Sequence, residues 1–359
     1  MLAYWFLFLV PAFQAVARRK QTQSLPGQRW SFKWRAVFFF LTLMIGLRHQ
    51  VGGDWGSYLV SVDVTTSLTL FEALNRSGND PADSLFSWLA AQSGLGIYLV
   101  NSVYGALFTW GLLVFCRSQP RPWLALTVAV PYLITVVAMG YSRQGVAIGL
   151  ILLGMVALKN KSVLKFFLWV ALAATFHKSA IILIPLAVLS GTRRRFVTFF
   201  WVIVTTSVLF VLMVQESVDF LVKGYITDQY ESSGAAIRVA MNAIPAALFL
   251  LMRKRFQLAP DQHIFWTWMA LGALAFIALL YVSPSSTAVD RVALYWIPLQ
   301  IFVWSRVPDA MGNHGAKNSG WVSAVVAYSA AVHFVWLFFA THSGYWLPYQ
   351  FYPWVWLWQ

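Results

Sequence analysis

Residues 122–158 read PWLALTVAVPYLITVVAMGYSRQGVAIGLILLGMVAL. Tyr141-Ser142-Arg143-Gln144 separates two apolar runs, each close to the length of a bilayer crossing. A span needs ~20 mostly apolar residues, within a range of ~17–25. So short a break between two such runs predicts a tight turn and a pair of antiparallel helices. The same character extends through the chain. Of 359 residues, 59 % are apolar and 11 % charged, and the mean hydropathy is +0.65. Soluble domains sit near ~45–50 % apolar and ~25 % charged. This composition excludes a soluble globular enzyme, a disordered chain and a coiled coil. The lone cysteine, Cys116, excludes a disulfide framework and a cysteine-based zinc site. The fold class is all-α, a polytopic transmembrane helical bundle.

Working outward from that hairpin, about twelve spans are expected: 1–17, 34–48, 96–116, 122–140, 143–158, 163–177, 179–191, 196–214, 237–252, 263–282, 291–306 and 321–341. Segments 34–48, 163–177 and 179–191 are short, and a second tight turn falls at 177–179. Segment 1–17 lacks a basic leading region and a small-residue cleavage site, so it reads as a span and not a signal peptide. With the N-terminus outside, the inner loops collect nineteen of the 26 basic residues but two of the 12 acidic ones, Asp261 and Asp309. The positive-inside rule predicts this segregation. It accounts for the net charge of +14 without nucleic acid, because the basic residues are scattered over short loops. Both termini are then expected outside.

The whole chain, 1–359, reads as one membrane domain without internal repeats. Outside the spans, segment 49–95 is expected to lie on the outer surface, with amphipathic pieces at 56–74 and 82–93. Residues 215–236 form a second outer loop. The uncharged tail 342–359, HSGYWLPYQFYPWVWLWQ, is dense in aromatics. Trp and Tyr favour the membrane interface, so the tail is expected along the outer surface.

Five basic residues adjoin the outer ends of spans, against the charge bias: Arg48, Arg143, Lys178, Arg238 and Arg291. Each alone is explained by lipid phosphate or by a nearby acid. Five at one face point to an anionic ligand. Arg48 leads into His49-Gln50-Val51-Gly52-Gly53-Asp54-Trp55, where Asp54 is either a base or the partner of Arg48. Trp55 and Tyr58 either stack on a sugar or sit at the interface. Ser142 fits an N-cap, and free amides with the helix dipole favour an anion beside Arg143. His177, followed by Lys178 and Ser179, is either a hydrogen-bonding residue at a helix end or a general base. Arg238 pairs with Glu231 or Asp228, or faces the ligand. Asp290 fits an N-cap for span 291–306, with Arg291 next and Tyr295 one turn on. No HExxH, DxD, Walker or GxGxxG pattern occurs, so neither a metal nor a cofactor is expected.

The set Arg48-(x)2-Val51-Gly52-(x)1-Asp54-(x)3-Tyr58, Arg143-Gln144-Gly145-Val146-Ala147, His177-Lys178-Ser179-Ala180 and Asp290-Arg291-(x)3-Tyr295 resembles the EpsG family. That family is similar to Wzy-type polymerases of exopolysaccharide, capsule and O-antigen assembly. The resemblance implies a GT-C-like integral membrane glycosyltransferase in the bacterial inner (plasma) membrane, with its site facing the periplasm or exterior. Its implied substrates are an undecaprenyl-diphosphate-linked oligosaccharide donor and a lipid-linked acceptor. A chain-length regulator and a flippase of the same pathway are implied as partners, besides membrane lipids. In this picture Arg48, Arg143, Arg238 and Arg291 bind the diphosphate without a metal, and Trp55, Tyr58, Lys178, Asp290 and Tyr295 hold the substrates. His177 is the first choice of base, Asp54 the second, and direct displacement inverts the anomeric carbon. A flippase for lipid-linked glycan would instead need polar residues through the membrane depth. An acyltransferase modifying polysaccharide would need an intramembrane histidine, for which His333 stands in the last span. A structural subunit of a secretion assembly is a further alternative.

Overall fold

The computed structural model describes residues 1–17, 28–76, 80–186, 234–283 and 285–357. Among them every extended element is a helix; the only extended pairing is an isolated bridge between Arg48 and Phe351. Ten of the twelve expected spans fall on helical segments. Expected span 196–214, residues 187–191 of the expected span 179–191, nearly all of the 215–236 loop, Arg18 to Lys20 and Arg193 to Arg195 lie outside the described residues. Five helices are long and apolar enough to cross a membrane: Gly96–Arg117, Ser142–Lys159, Ala235–Phe256, Pro260–Val282 and Ser319–Phe339. Shorter apolar helices cover Leu2–Ala17, Pro122–Ala138 and Val163–Phe176.

The centre of the bundle is the pair Gly96–Arg117 and Ser142–Lys159, flanked by Phe32–Gly46 and Val163–Phe176. Glycine permits the closest approach. A Cβ on Gly111 would stand 1.8 Å from the Gly149 carbonyl oxygen, and one on Gly149 would stand 2.6 Å from the Phe108 Cα. Where lipid is as apolar as the side chains, such backbone proximity is what holds helices together.

The hairpin predicted at 141–142 is present, but its first arm is not uniformly α-helical. Pro122–Ala129 passes into a π-helix, Val130–Ala138. Pro131 has no N–H to donate to the preceding turn, which loosens the ladder there.

Segment 49–95 departs from the expected single piece at 56–74, which is two helices, Trp55–Thr65 and Leu70–Leu74. The second opens on a capping box. Glu72 N–H donates to Thr69 Oγ1 at 3.4 Å, and Thr69 N–H donates to the Glu72 carboxylate at 2.8 Å. The third helix of this segment, Pro81–Ser93, starts with proline at its first turn and ends on Gly94 at φ +71°. It packs on Gly96–Arg117 and brings Asp80 and Asp83 inward.

The tail is a second correction, because part of it is inserted in the protein. Trp346 is 2 % exposed, and its Nε1 donates to the Thr135 carbonyl of the π-helix at 2.7 Å. Tyr4 donates to the Trp346 carbonyl at 2.8 Å, and His49 N–H and Tyr352 N–H pair the tail with 47–49. Gly140 leaves the space the indole occupies: a Cβ there would stand 2.1 Å from Trp346 Cζ2. Tyr345, Trp354 and Trp356 of the tail are exposed.

Charged side chains gather at two separate ends. At one end Lys159 donates to the Ser118 carbonyl at 2.6 Å, Arg306 donates to Gln119, and Arg121 forks onto Asp309 at 2.7 and 3.0 Å. These are residues of the expected inner loops. The other end carries Arg48, Arg143, His177 and Arg291.

Candidate active site

Arg48 follows the Phe32–Gly46 helix and is 1 % exposed. Its Nε donates to the Val51 carbonyl at 3.1 Å, and Nη1 donates to the Ile45 carbonyl. Its Nη2 donates to Asn101 Oδ1 at 3.0 Å and to Ser142 Oγ at 2.6 Å. Ser142 is therefore a receptor for Arg48 and not the expected cap; the capping position is Tyr141, without a side-chain bond. Arg48 ties three helix ends together directly beneath Arg143. Its donors are turned into the protein.

Arg143 opens the Ser142–Lys159 helix with its side chain 35 % exposed. Its backbone N–H donates to the Tyr58 hydroxyl at 3.2 Å, and the guanidinium lies 5.9 Å from the Tyr58 ring centroid. Nη1 stands 3.5 Å from Asp80 and 3.7 Å from Asp83, both loose contacts. Asp83 also accepts from Tyr104 at 2.8 Å. Asp80 accepts from the Lys178 backbone N–H at 3.1 Å, which docks the His177 turn against Arg143. Burial pushes the Asp80 carboxyl up to about 6, against the pull of Arg143 and the Lys178 amide.

His177 is half-buried between Val163–Phe176 and a short 3-10 helix, Lys178–Leu183. Its Nδ1 meets Ser179 Oγ at 2.6 Å and the Tyr295 hydroxyl at 3.1 Å; the two hydroxyls are 3.1 Å apart. Burial first, then Arg143 and Arg291, push its pKa down to about 3. The ring is neutral throughout the physiological range, and it is a far weaker base than an ordinary histidine. Ser179 serves this triad instead of capping.

Asp54 precedes the Trp55–Thr65 helix, is half-buried, and makes no side-chain cap bond. Among the described residues its carboxylate has no hydrogen-bond or ion-pair partner, including Arg48. Burial raises its pKa above the usual carboxylate value, against the pull of the Arg291, Arg143 and Arg48 charges. Arg291 is half-buried over the Tyr141 ring at 4.6 Å and has no carboxylate partner within 4 Å among the described residues. Its carbonyl accepts from Gln144 at 2.6 Å, which fixes it to the helix of Arg143.

The remaining expected residues are distributed differently. Arg238 forks onto Asp290 at 2.6 and 2.7 Å. Asp290 is not an N-cap: it lies inside Ser286–Ala293, whose cap is Ser285, accepting from Ala288 N–H at 3.3 Å. The expected span 291–306 thus begins a turn early and is interrupted by a 3-10 stretch, Leu294–Trp296. Trp55 and Tyr58 are buried, so protein already covers most of the surface expected to face a sugar. Tyr295 is wholly buried behind His177. His333 Nε2 donates to the Tyr4 carbonyl at 3.2 Å, and the ring packs on Trp5 and Phe8.

The sequence reading missed Asp80, Asp83, Asn101 and Tyr104 as members of this centre. Asp80 before Pro81 looks like an ordinary helix start. The available signal was Asp80 and Asp83, three apart, on one face of an otherwise weakly charged helix.

The assembled features define a multi-span membrane protein whose unpaired arginine and carboxylate groups collect at one end of its helices. A family model described as the EpsG family matches residues 32–351, a stretch that contains every residue of this centre. The chain belongs to the EpsG family, whose members are Wzy-like polysaccharide polymerases, and its function class is a glycosyltransferase-type polymerase. No curated protein and no solved structure matches it.

Proposed function

We propose that this protein lengthens a polysaccharide by moving a glycan from an undecaprenyl-diphosphate carrier to a hydroxyl of a lipid-linked acceptor. The reaction takes place at the outer face of the plasma membrane. The supporting observation is Asp54, a half-buried carboxylate with no partner of its own among the described residues, within the electrostatic reach of Arg291, Arg143 and Arg48. The acceptor oxygen bonds to the anomeric carbon, and the bond from that carbon to the diphosphate oxygen breaks. The electron pair leaves on the diphosphate, and the acceptor proton passes to Asp54. Attack opposite the leaving group inverts the carbon.

Arg291 and Arg143 take the charge that develops on the leaving diphosphate; planar guanidinium forks suit phosphate geometry. Arg48 positions Arg143 through Ser142 and Asn101. Asp80 and Asp83 hold the Arg143 side chain loosely enough for phosphate oxygens to displace them. With Nδ1 as the acceptor, the Ser179 hydroxyl donates to it across 2.6 Å. That leaves the ring proton on Nε2, so His177 is a neutral donor to the diphosphate or a sugar. Lys178 lends a positive charge beside it. Arg238 and Asp290 form a supporting pair at the rim.

The test is reconstitution with an undecaprenyl-diphosphate oligosaccharide, followed by product analysis. A ladder of longer lipid-linked glycans is expected. Glycan crossing the bilayer at constant length, or acyl incorporation, would overturn the proposal.

A further inference from the structure

A well-formed cavity lies at the end of the bundle opposite Arg143, and nothing in the polymerase chemistry uses it. It has a volume of about 270 Å³. Its polar wall is Ser118, Gln119, Lys159 and Arg306, and its apolar wall includes Trp266 and Phe302, which stack at 3.7 Å between ring centroids.

Two cations there have no carboxylate within 4 Å among the described residues; Asp309 attracts Arg306 from farther off. Arg306 is 7 % exposed, and its guanidinium lies 3.8 Å from the Phe302 ring centroid. Its Nη1 donates to Gln119 Oε1 and to the Phe302 carbonyl. Among the described residues Nε and Nη2 have no hydrogen-bond partner, yet they are not among the sealed unpartnered atoms, so they face open space. The Lys159 ammonium donates to the Ser118 carbonyl and feels repulsion from Arg306. Asp309 is committed to Arg121. Asp261 lines the exposed rim, and no ion pair within 4 Å joins it to either cation among the described residues.

Holding two desolvated positive groups together without an anion is costly. A bound anion would remove that cost, and the stacked aromatic wall favours an apolar or flat portion beside it.

We propose that this cavity is a second binding site, for a phosphate-bearing anion gripped by Arg306 and Lys159. An anionic phospholipid headgroup and a soluble phosphorylated compound share that chemistry. The reading is independent of the polymerase assignment, because its test measures binding and not glycan products.

Purified full-length protein is placed in nanodiscs of phosphatidylcholine, with or without phosphatidylglycerol, and retained lipid is counted by native mass spectrometry. In parallel, inorganic phosphate is added against chloride at equal ionic strength, and the thermal midpoint is followed. Retention of phosphatidylglycerol alone identifies a headgroup as the ligand; a midpoint raised by phosphate identifies a soluble ligand. Either response is expected to weaken about tenfold or more in Arg306→Gln, the scale of one charged hydrogen bond. Lys159→Gln, at a helix end, carries the test by the same loss should Arg306→Gln not fold. Arg35→Gln, which removes an exposed cation outside the cavity lining, is expected to bind as the parent does. No preference for phosphatidylglycerol together with no response to phosphate overturns the proposal. So does binding that survives both Arg306→Gln and Lys159→Gln.

Discussion

Asp80 carries the sharpest conflict between folding and chemistry. Its carboxyl titrates near 6 in the folded protein and near ~3.9 in an unfolded chain. Folding therefore favours the protonated form. That stability is whole below the unfolded value and is lost as pH rises through about 6. At neutral pH the ionised group opposes folding by up to about 3 kcal/mol. Asp80→Asn is accordingly expected to raise the thermal midpoint at neutral pH while lowering polymerisation, because Arg143 loses part of its hold. In the parent protein the rate should fall as pH drops below about 6, and in Asp80→Asn the part of that limb set by Asp80 should be lost, leaving the limb of the base Asp54. A lowered midpoint with the limb intact would remove Asp80 from the account. His177 makes the opposite kind of prediction. As a neutral donor it is replaceable, so His177→Gln should keep activity within about tenfold, whereas His177→Ala should lose roughly 100-fold or more, the scale of a general base or key donor. Equal loss in both variants would restore His177 as the base.

Among the elements, the hairpin around 141–142 was legible because two long apolar runs with a polar break have one economical solution in a bilayer. The π-helix Val130–Ala138 was not: apolar residues with this spacing look the same in either helix, and the choice is made by Pro131 and by packing against the tail. The tail itself was misread because aromatic content signals the interface only on average. Trp346 is held by a glycine-shaped space and a main-chain acceptor that are distant in sequence. Trp346→Ala should cost ~3–5 kcal/mol, the usual range for emptying a large aromatic site, while Trp346→Phe should fall between. Scanning calorimetry or fluorescence of the detergent-solubilised protein measures both. Gly111→Ala is expected to be worse than its one methyl suggests, because the obstacle is the Gly149 backbone carbonyl and not a side chain. A monodisperse, normally stable Gly111→Ala protein would contradict the close packing of these two helices.

At the scale of the molecule, two charged ends separated by apolar helices were readable from where the basic residues fall. The composition of the site was readable only in part. Arg143 and Arg291 stood out as basic charges against the loop bias, and Asp54 and His177 as candidate bases close to such charges in sequence, whereas Asp80 and Asp83 became site residues only when the Pro81–Ser93 helix packed inward. Sidedness is checked with introduced cysteines, since the native Cys116 is buried. Lys178→Cys and Lys254→Cys should react with a membrane-impermeant maleimide from opposite faces, and labelling from one face would dissolve the two-ended arrangement. The claim on which everything turns is that Arg143 and Arg291 receive the lipid diphosphate. Polymer length should be compared among folded, reconstituted parent, Arg143→Ala and Arg291→Ala proteins supplied with undecaprenyl-diphosphate oligosaccharide. The account predicts a ladder in the parent and at least ~100-fold less elongation in each variant; undiminished ladders from both variants would contradict it.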